Sequence, residues 1–284
     1  MSVSMLCRSV LYIPGSKERA LTKALTLPVD AIIFDLEDAV AATEKEAARS
    51  TLSAQLASED YGHRLKIVRI NGLDTEWGMA DAKAVAGMNA DAVLLPKADT
   101  TDQIDALAAM TPDLPIWCMM ETPLGMLNAA PIARHHAVAG FVMGTNDLAK
   151  DIGCATGGDR LAIMTSLQLC ILAARAAGIV CVDGVYNAFK DEDGLRAECE
   201  QGRALGMDGK SLIHPAQVEI ANAVFAPDAA TVDLARRQIA AFEEAEAQGE
   251  GVAVVDGSIV ENLHVVTART VLAKAQAIEE RTAS

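Results

Sequence analysis

The chain has 284 residues, room for one large domain or two small ones, and its 51% hydrophobic content can fill a sizeable core with few aromatics. Twenty-four Lys and Arg against thirty-nine Asp and Glu leave a net charge of −15. That field repels nucleic acid and anionic membranes, so any anionic ligand needs a local basic patch.

The six cysteines, Cys7, Cys118, Cys154, Cys170, Cys181 and Cys199, form no C-x-x-C pair. They read as buried or free thiols of a reducing compartment. No apolar stretch reaches the ~18 residues of a membrane span. The residues from Met1 to Arg8 lack a signal-peptide core, so a cytoplasmic location is expected.

Eight short apolar runs follow in order: Ser9–Ile13, Ala31–Phe34, Ile67–Ile70, Ala92–Leu95, Ile116–Met120, Gly140–Met143, Ile179–Val182 and Ser211–Ile213. Each is too short for a helix, and Ala-rich helical stretches separate them. Continuous apolar runs suit parallel strands covered on both faces. Alternation with helices predicts an α/β fold, and eight units predict a (β/α)8 barrel over about residues 1–226. No G-x-G-x-x-G turn supports a doubly wound dinucleotide fold. Beyond it, 227–284 read as a helix-hairpin-helix extension. Ala229–Glu250 is an amphipathic helix with Leu234, Ile239 and Phe242 on one face. Asp256-Gly257 signals a hairpin, and a last helix spans about Leu263–Arg281. This tail is extra to a barrel and is expected to act as a lid or an exchanged oligomer arm.

Polar residues gather at the run ends, where barrels build their active sites. Glu121 follows the fifth run and Asp147 the sixth. Carboxylates at the ends of successive buried strands suit Mg²⁺, which takes oxygen ligands from one or two carboxylates, water and substrate. Mn²⁺ would accept the same donors. Asp35, Glu37 and Asp38 form an acidic cluster after the second run, as acceptors for metal-bound water or partners of Arg69. Arg69 sits inside the third run, where its fork could take a substrate carboxylate or bridge to that cluster. Pro14-Gly15-Ser16 leads into a helix with Lys17 and Arg19 as a phosphate handle. Lys97 and His214 are further anion-binding candidates. No G-x-S-x-G or Cys-His motif supports a nucleophilic enzyme.

The motifs Leu11-Tyr12-Ile13-Pro14-Gly15-Ser16, Asp35-Leu36-Glu37-Asp38, Arg69-Ile70-Asn71-Gly72, Pro96-Lys97, Met120-Glu121-Thr122, Gly144-Thr145-Asn146-Asp147-Leu148 and Ile213-His214-Pro215 fall in one order. Together they resemble the HpcH/HpaI aldolase and citrate lyase β-subunit family, over nearly the whole chain. Within it the sequence looks most like the malyl-CoA enzymes, the thioesterase branch above all. The resemblance implies a TIM barrel with Mg²⁺ on Glu121 and Asp147. It implies Arg69 on the acid end of the substrate, and Tyr12, Asn146 and His214 among the substrate contacts. Arg8, Lys17 and Arg19 would lie near CoA. It further implies homotrimers or homohexamers in which the C-terminal segment covers a neighbour's site.

One position departs from the family's carbon–carbon lyases. Their hairpin ends in an Ile/Val-Asp pair whose Asp handles the acetyl carbon; here the pair is Val260-Glu261, followed by Asn262-Leu263-His264. A carboxylate moved by ~1 Å can cost on the order of 10²-fold in rate. Glu261 is therefore expected to activate water toward the thioester, with His264 nearby. The expected reaction is Mg²⁺-dependent hydrolysis of (3S)-malyl-CoA to malate and CoA. The rival expectations are carbon–carbon cleavage of malyl-, methylmalyl- or citramalyl-CoA, and a non-catalytic CoA-ester-binding barrel.

Overall fold

The computed structural model describes residues 5–155 and 158–283. Two compact units emerge: Cys7–Ala223, and Val224 onward together with Met5 and Leu6.

The larger unit is a closed parallel barrel of strands β1 (Ser9–Pro14), β2 (Ala31–Asp35), β3 (Leu65–Arg69), β4 (Ala92–Leu95), β5 (Ile116–Met120), β6 (Val138–Met143), β7 (Val180–Asp183) and β8 (Gly209–Leu212). Neighbours pair in chain order, and β1 closes on β8 with Ser9 opposite Lys210 and Val10 opposite Ser211. Helices follow the strands, among them Lys45–Ser58, Thr101–Met110, Met164–Ala177 and Glu192–Leu205. This is the expected TIM barrel. Strands β2, β4, β5 and β8 are buried at every residue, and β4 and β5 are apolar throughout for that reason.

Charged residues account for the shifted strand ends. β3 starts at Leu65 and takes in Lys66, which faces Asp91 and Asn89. β8 starts two residues early because Lys210 is buried, with its Nζ 3.2 Å from Asp183 and 2.7 Å from Glu198. A paired lysine can occupy a strand that an apolar pattern would end.

The barrel interior is filled by Val10, Ala31, Ile33, Ile67, Ala92, Leu94, Trp117, Met119, Val142 and Val182, with Cys7 below them. Trp117 is nearly full size for this space. It fits because Gly140 on β6 has no side chain; a Cβ there would lie 2.7 Å from the indole.

The smaller unit holds helix Ala229–Ala247, a hairpin of β9 (Ala253–Val255) and β10 (Ser258–Val260), and helix Asn262–Ala283. Asp256 and Gly257 turn the hairpin with φ of 50° and 78°, the twist that a two-residue hairpin needs. Ala245, Ala253, Val260 and Val265 form its core, with Ile239 and Phe242 packed on them. Among the described residues no helix is long and apolar enough to cross a membrane.

Candidate active site

Side chains alternate along a strand, so each interior core residue predicts the next interior position two residues on. Val10 leads to Tyr12, Ile33 to Asp35, Ile67 to Arg69, Met119 to Glu121 and Val142 to Gly144. The polar residues thus form the last interior layer at the strand C-termini. Tyr12, Asp35, Asp38, Arg69, Glu121, Asn146 and Asp147 line one cavity of about 320 Å³.

Glu121 is only 2% exposed. Its Oε1 accepts the Lys97 N–H at 2.8 Å, and Lys97 takes a left-handed φ of 45° there. Burial and the nearby Glu37 charge push the Glu121 carboxyl up to about 7. Asp147 lies further from its strand than the sequence suggested. β6 ends at Met143, and Asp147 sits in the first turn of helix Thr145–Ile152. Both carboxylates nevertheless reach the cavity.

Arg69 and Asp35 are register partners on β3 and β2. Arg69 Nε and Nη2 each donate to Asp35 at 2.7 Å, a bidentate pair inside the barrel. Asp35 also accepts the backbone N–H groups of Glu37 and Ala39. Burial would raise the Asp35 carboxyl, but Arg69 outweighs it and holds it below the usual range. Arg69 Nη1 stands 2.9 Å from Glu37 Oε2 and 3.5 Å from Asp38. The Glu37 contact lacks hydrogen-bond geometry, so Oε2 is buried without a hydrogen-bond donor among the described residues. Burial raises the Glu37 carboxyl. Tyr12 lies under Arg69, with its ring 5.0 Å from the guanidinium carbon, and donates to Met119 Sδ. Burial raises its phenol too.

Glu121 is buried with its carboxyl pushed up, so added positive charge beside it would be favourable. Glu121 and Asp147 supply only oxygen donors, which fits a hard divalent cation that keeps water or substrate in its remaining positions. Among the described residues no three His, Cys, Asp or Glu side chains gather to hold an ion by themselves.

The structure does not bring every candidate here. Arg8 precedes β1, at the opposite end of the barrel from the strand C-termini, and its guanidinium is bound to Asp30 at 2.8 and 2.9 Å. Its expected place near CoA therefore fails on strand direction. Lys17 and Arg19 are at the correct end but solvent-exposed, with Lys17 3.8 Å from Glu44. His214 Nδ1 accepts the Ala216 N–H as a helix cap, and its ring packs 4.7 Å from Phe189. Asp183, also at a strand end, points the other way, to Arg160 and Lys210. Glu261 is exposed in the smaller unit and caps helix Asn262–Ala283; its backbone N–H donates to His264 Nδ1 at 3.0 Å.

Other contributors carried little signal. Asn187, from the loop after β7, exchanges amide hydrogen bonds of 2.8 and 3.2 Å with Asn146. Lys45 reaches back from its helix to Leu36 O, Glu37 O and Asn71 Oδ1, pinning the acidic turn. Only a buried lysine in an otherwise amphipathic helix could have hinted at it.

The profile of HpcH/HpaI aldolase/citrate lyase matches residues 8–215. A (3S)-malyl-CoA thioesterase of Cereibacter sphaeroides is 67% identical over 271 residues, 95% of each chain. The citrate lyase β subunit of Escherichia coli is 34% identical, over 95% of this chain and 93% of its own. The crystal structure of CitE from Mycobacterium tuberculosis with magnesium, acetoacetate and coenzyme A superposes with a TM-score of 0.82 at 29% identity, covering 94% of this chain and 97% of that one. The interior layer of acids and arginine at the strand ends, the barrel that carries it and these relatives agree: the chain belongs to the HpcH/HpaI aldolase/citrate lyase family.

Proposed function

We propose that this chain hydrolyses (3S)-malyl-CoA, adding water across the thioester to give malate and free CoA. The 67% identity to a thioesterase of that name, across 95% of both chains, carries the reading. Glu121 and Asp147 would hold a divalent ion, Mg²⁺ or Mn²⁺, and CitE of M. tuberculosis contains magnesium. When bound, the ion supplies positive charge that polarises substrate oxygens.

The protein's own residues do the rest. Asp35 fixes the guanidinium plane of Arg69 through two bonds, leaving Nη1 as the edge that meets a substrate carboxylate in place of Asp38. Asn146, braced by Asn187, offers an amide to the same small acid. Tyr12 supports Arg69 from below. A cavity of about 320 Å³ suits a short hydroxy dicarboxylate. Glu261 acts as the general base on water in this reading, and the chain assembles as a homotrimer or homohexamer.

The test is to incubate the protein with (3S)-malyl-CoA and Mg²⁺, trap glyoxylate, and separate the products. Malate and CoA without acetyl-CoA support hydrolysis. Acetyl-CoA and glyoxylate would replace it with the carbon–carbon cleavage suggested by the 34% identity to citrate lyase β subunits. Unchanged substrate would leave a CoA-ester-binding barrel.

A further inference from the structure

The loop after β7, residues 184–190, contains neither helix nor strand, yet its Val185 and Asn187 line the acidic cavity. Side-chain bonds must therefore place it. A buried amide on the neighbouring loop supplies one of them.

Gln217 lies in the turn Pro215–Gln217 that follows β8 and is 0% exposed. A buried amide is costly unless both of its ends are bonded. Here both are. Its Oε1 accepts the N–H groups of Ile213 at 3.0 Å and His214 at 3.2 Å. Its Nε2 donates to the Tyr186 carbonyl at 2.9 Å. The accepting end caps the turn, as a Glu or Gln three residues after an N-cap does. A glutamate would serve that cap at least as well, because acids favour a helix N-terminus. The donating end is what requires an amide, and it crosses to a different loop.

Tyr186 immediately precedes Asn187, so this bond fixes the backbone that carries the Asn187 side chain. Asn187 in turn exchanges amide hydrogen bonds with Asn146, the residue before Asp147. The loops after β8, β7 and β6 are thus joined in series at the mouth of the cavity. Other contacts of the β7 loop act elsewhere. Tyr186 Oη donates to Asp191 at 2.6 Å, within the same segment. Phe189 packs on His214, but it is 40% exposed and lies beyond Asn187.

We propose that Gln217 is a positioning residue for the acid end of the substrate: its amide holds Asn187, and through it Asn146, at the cavity wall. The inference rests on the hydrolytic reading above for the identity of the substrate. Gln217 does not line the cavity, so it acts only through the loop. Glu121 and Arg69 keep their own anchors, Lys97 N–H and Asp35, when this tie is cut.

The experiment compares wild type with Gln217→Met, Gln217→Glu, Asn187→Ala and the double variant Gln217→Met with Asn187→Ala. Methionine keeps the length and removes both polar ends. Glutamate keeps the accepting end and, once ionised, cannot donate. With Mg²⁺ present, kcat/KM for malyl-CoA is expected to fall about ten-fold in Gln217→Met and in Asn187→Ala, the worth of one hydrogen bond. The double variant is expected to show the same loss of about ten-fold, because both changes release one link; an unrelated folding defect would multiply the two losses to about a hundred-fold. The ratio of Gln217→Glu to wild type, which cancels titrations common to both, is expected to be near one at about pH 6 and to fall about ten-fold by about pH 8.5, as the carboxyl loses the proton it would donate. A wild-type kcat/KM in Gln217→Met, losses that multiply, or a pH-independent ratio in Gln217→Glu overturns the proposal. If Gln217→Met does not fold, Gln217→Glu decides alone. If wild type forms no malate, the hydrolytic reading fails, and the tie is judged by calorimetric titration of malate with Mg²⁺. Weaker malate binding in Gln217→Glu at the higher pH then supports the tie; equal binding, or none in wild type, overturns it.

Discussion

Gly144 closes against Glu121 so tightly that a methyl group at 144 would lie 2.3 Å from Glu121 Cβ and 2.6 Å from its Oε2. The glycine φ of −97° is open to any residue, so space and not backbone freedom is what the site requires there. Gly144→Ala should push the carboxylate aside. A displacement of ~1 Å lowers turnover on the order of 10²-fold. Steady-state kinetics should show that loss, and calorimetric titration should show weaker Mg²⁺ binding, with circular dichroism unchanged. Wild-type kinetics would mean that Glu121 needs no fixed position.

Glu121 also makes stability depend on pH. Its carboxyl is raised from 4.5 to about 7 in the folded protein. Between those values the metal-free folded state keeps a proton that the unfolded chain has released. The contribution of this group to stability is therefore present below pH 4.5, falls as pH rises and is lost above about 7, a difference of about 3 kcal/mol. In EDTA, Glu121→Gln should melt above wild type at pH 8, and the gap should close toward pH 4.5. Mg²⁺ should raise the wild-type Tm at pH 8 and leave the variant unmoved. A pH-independent gap would exclude this titration.

The Arg69–Asp35 pair has a structural part separable from substrate binding. Arg69→Ala leaves Asp35 charged and buried, which should cost about 3–5 kcal/mol in urea unfolding. Replacing both, with Arg69→Met and Asp35→Leu, should recover much of that stability. Activity should stay lost in the double variant, because no donor remains for the acid end of the substrate. Recovered activity would reduce Arg69 to a structural residue.

Glu261 contributes its backbone, not its carboxylate, to the helix cap. Glu261→Gln should therefore fold normally and retain the Mg²⁺-dependent rise in Tm, while kcat falls roughly 10²–10⁴-fold, the usual worth of a general base. If the C-terminal segment serves a neighbouring copy, refolding Glu261→Gln together with Glu121→Gln should restore part of the activity that each lacks. No recovery on mixing would confine each site to one chain.

Much of this protein was legible in order along the chain. The eight strands were visible because parallel strands buried on both faces are largely apolar, and the hairpin was visible because Asp256-Gly257 permits its positive φ angles. Glu121, at the end of Ile116–Met120, was recognisable as a charge that a buried strand end would hold only for a purpose. The resemblance places Arg8 near CoA, whereas Asp30 holds its guanidinium at the end of β1 opposite the acidic cavity.

What the sequence determined by itself is the succession of elements, since burial on both faces and turn chemistry are local and leave local marks. What only the tertiary structure decided is which face each residue presents. A strand that is apolar nearly throughout shows no alternation, so the directions in which Asp35, Arg69, Glu121 and Asp183 point could not be read before the barrel closed. Closure sets that parity: it turns the first three inward to share one cavity and turns Asp183 outward to Arg160 and Lys210.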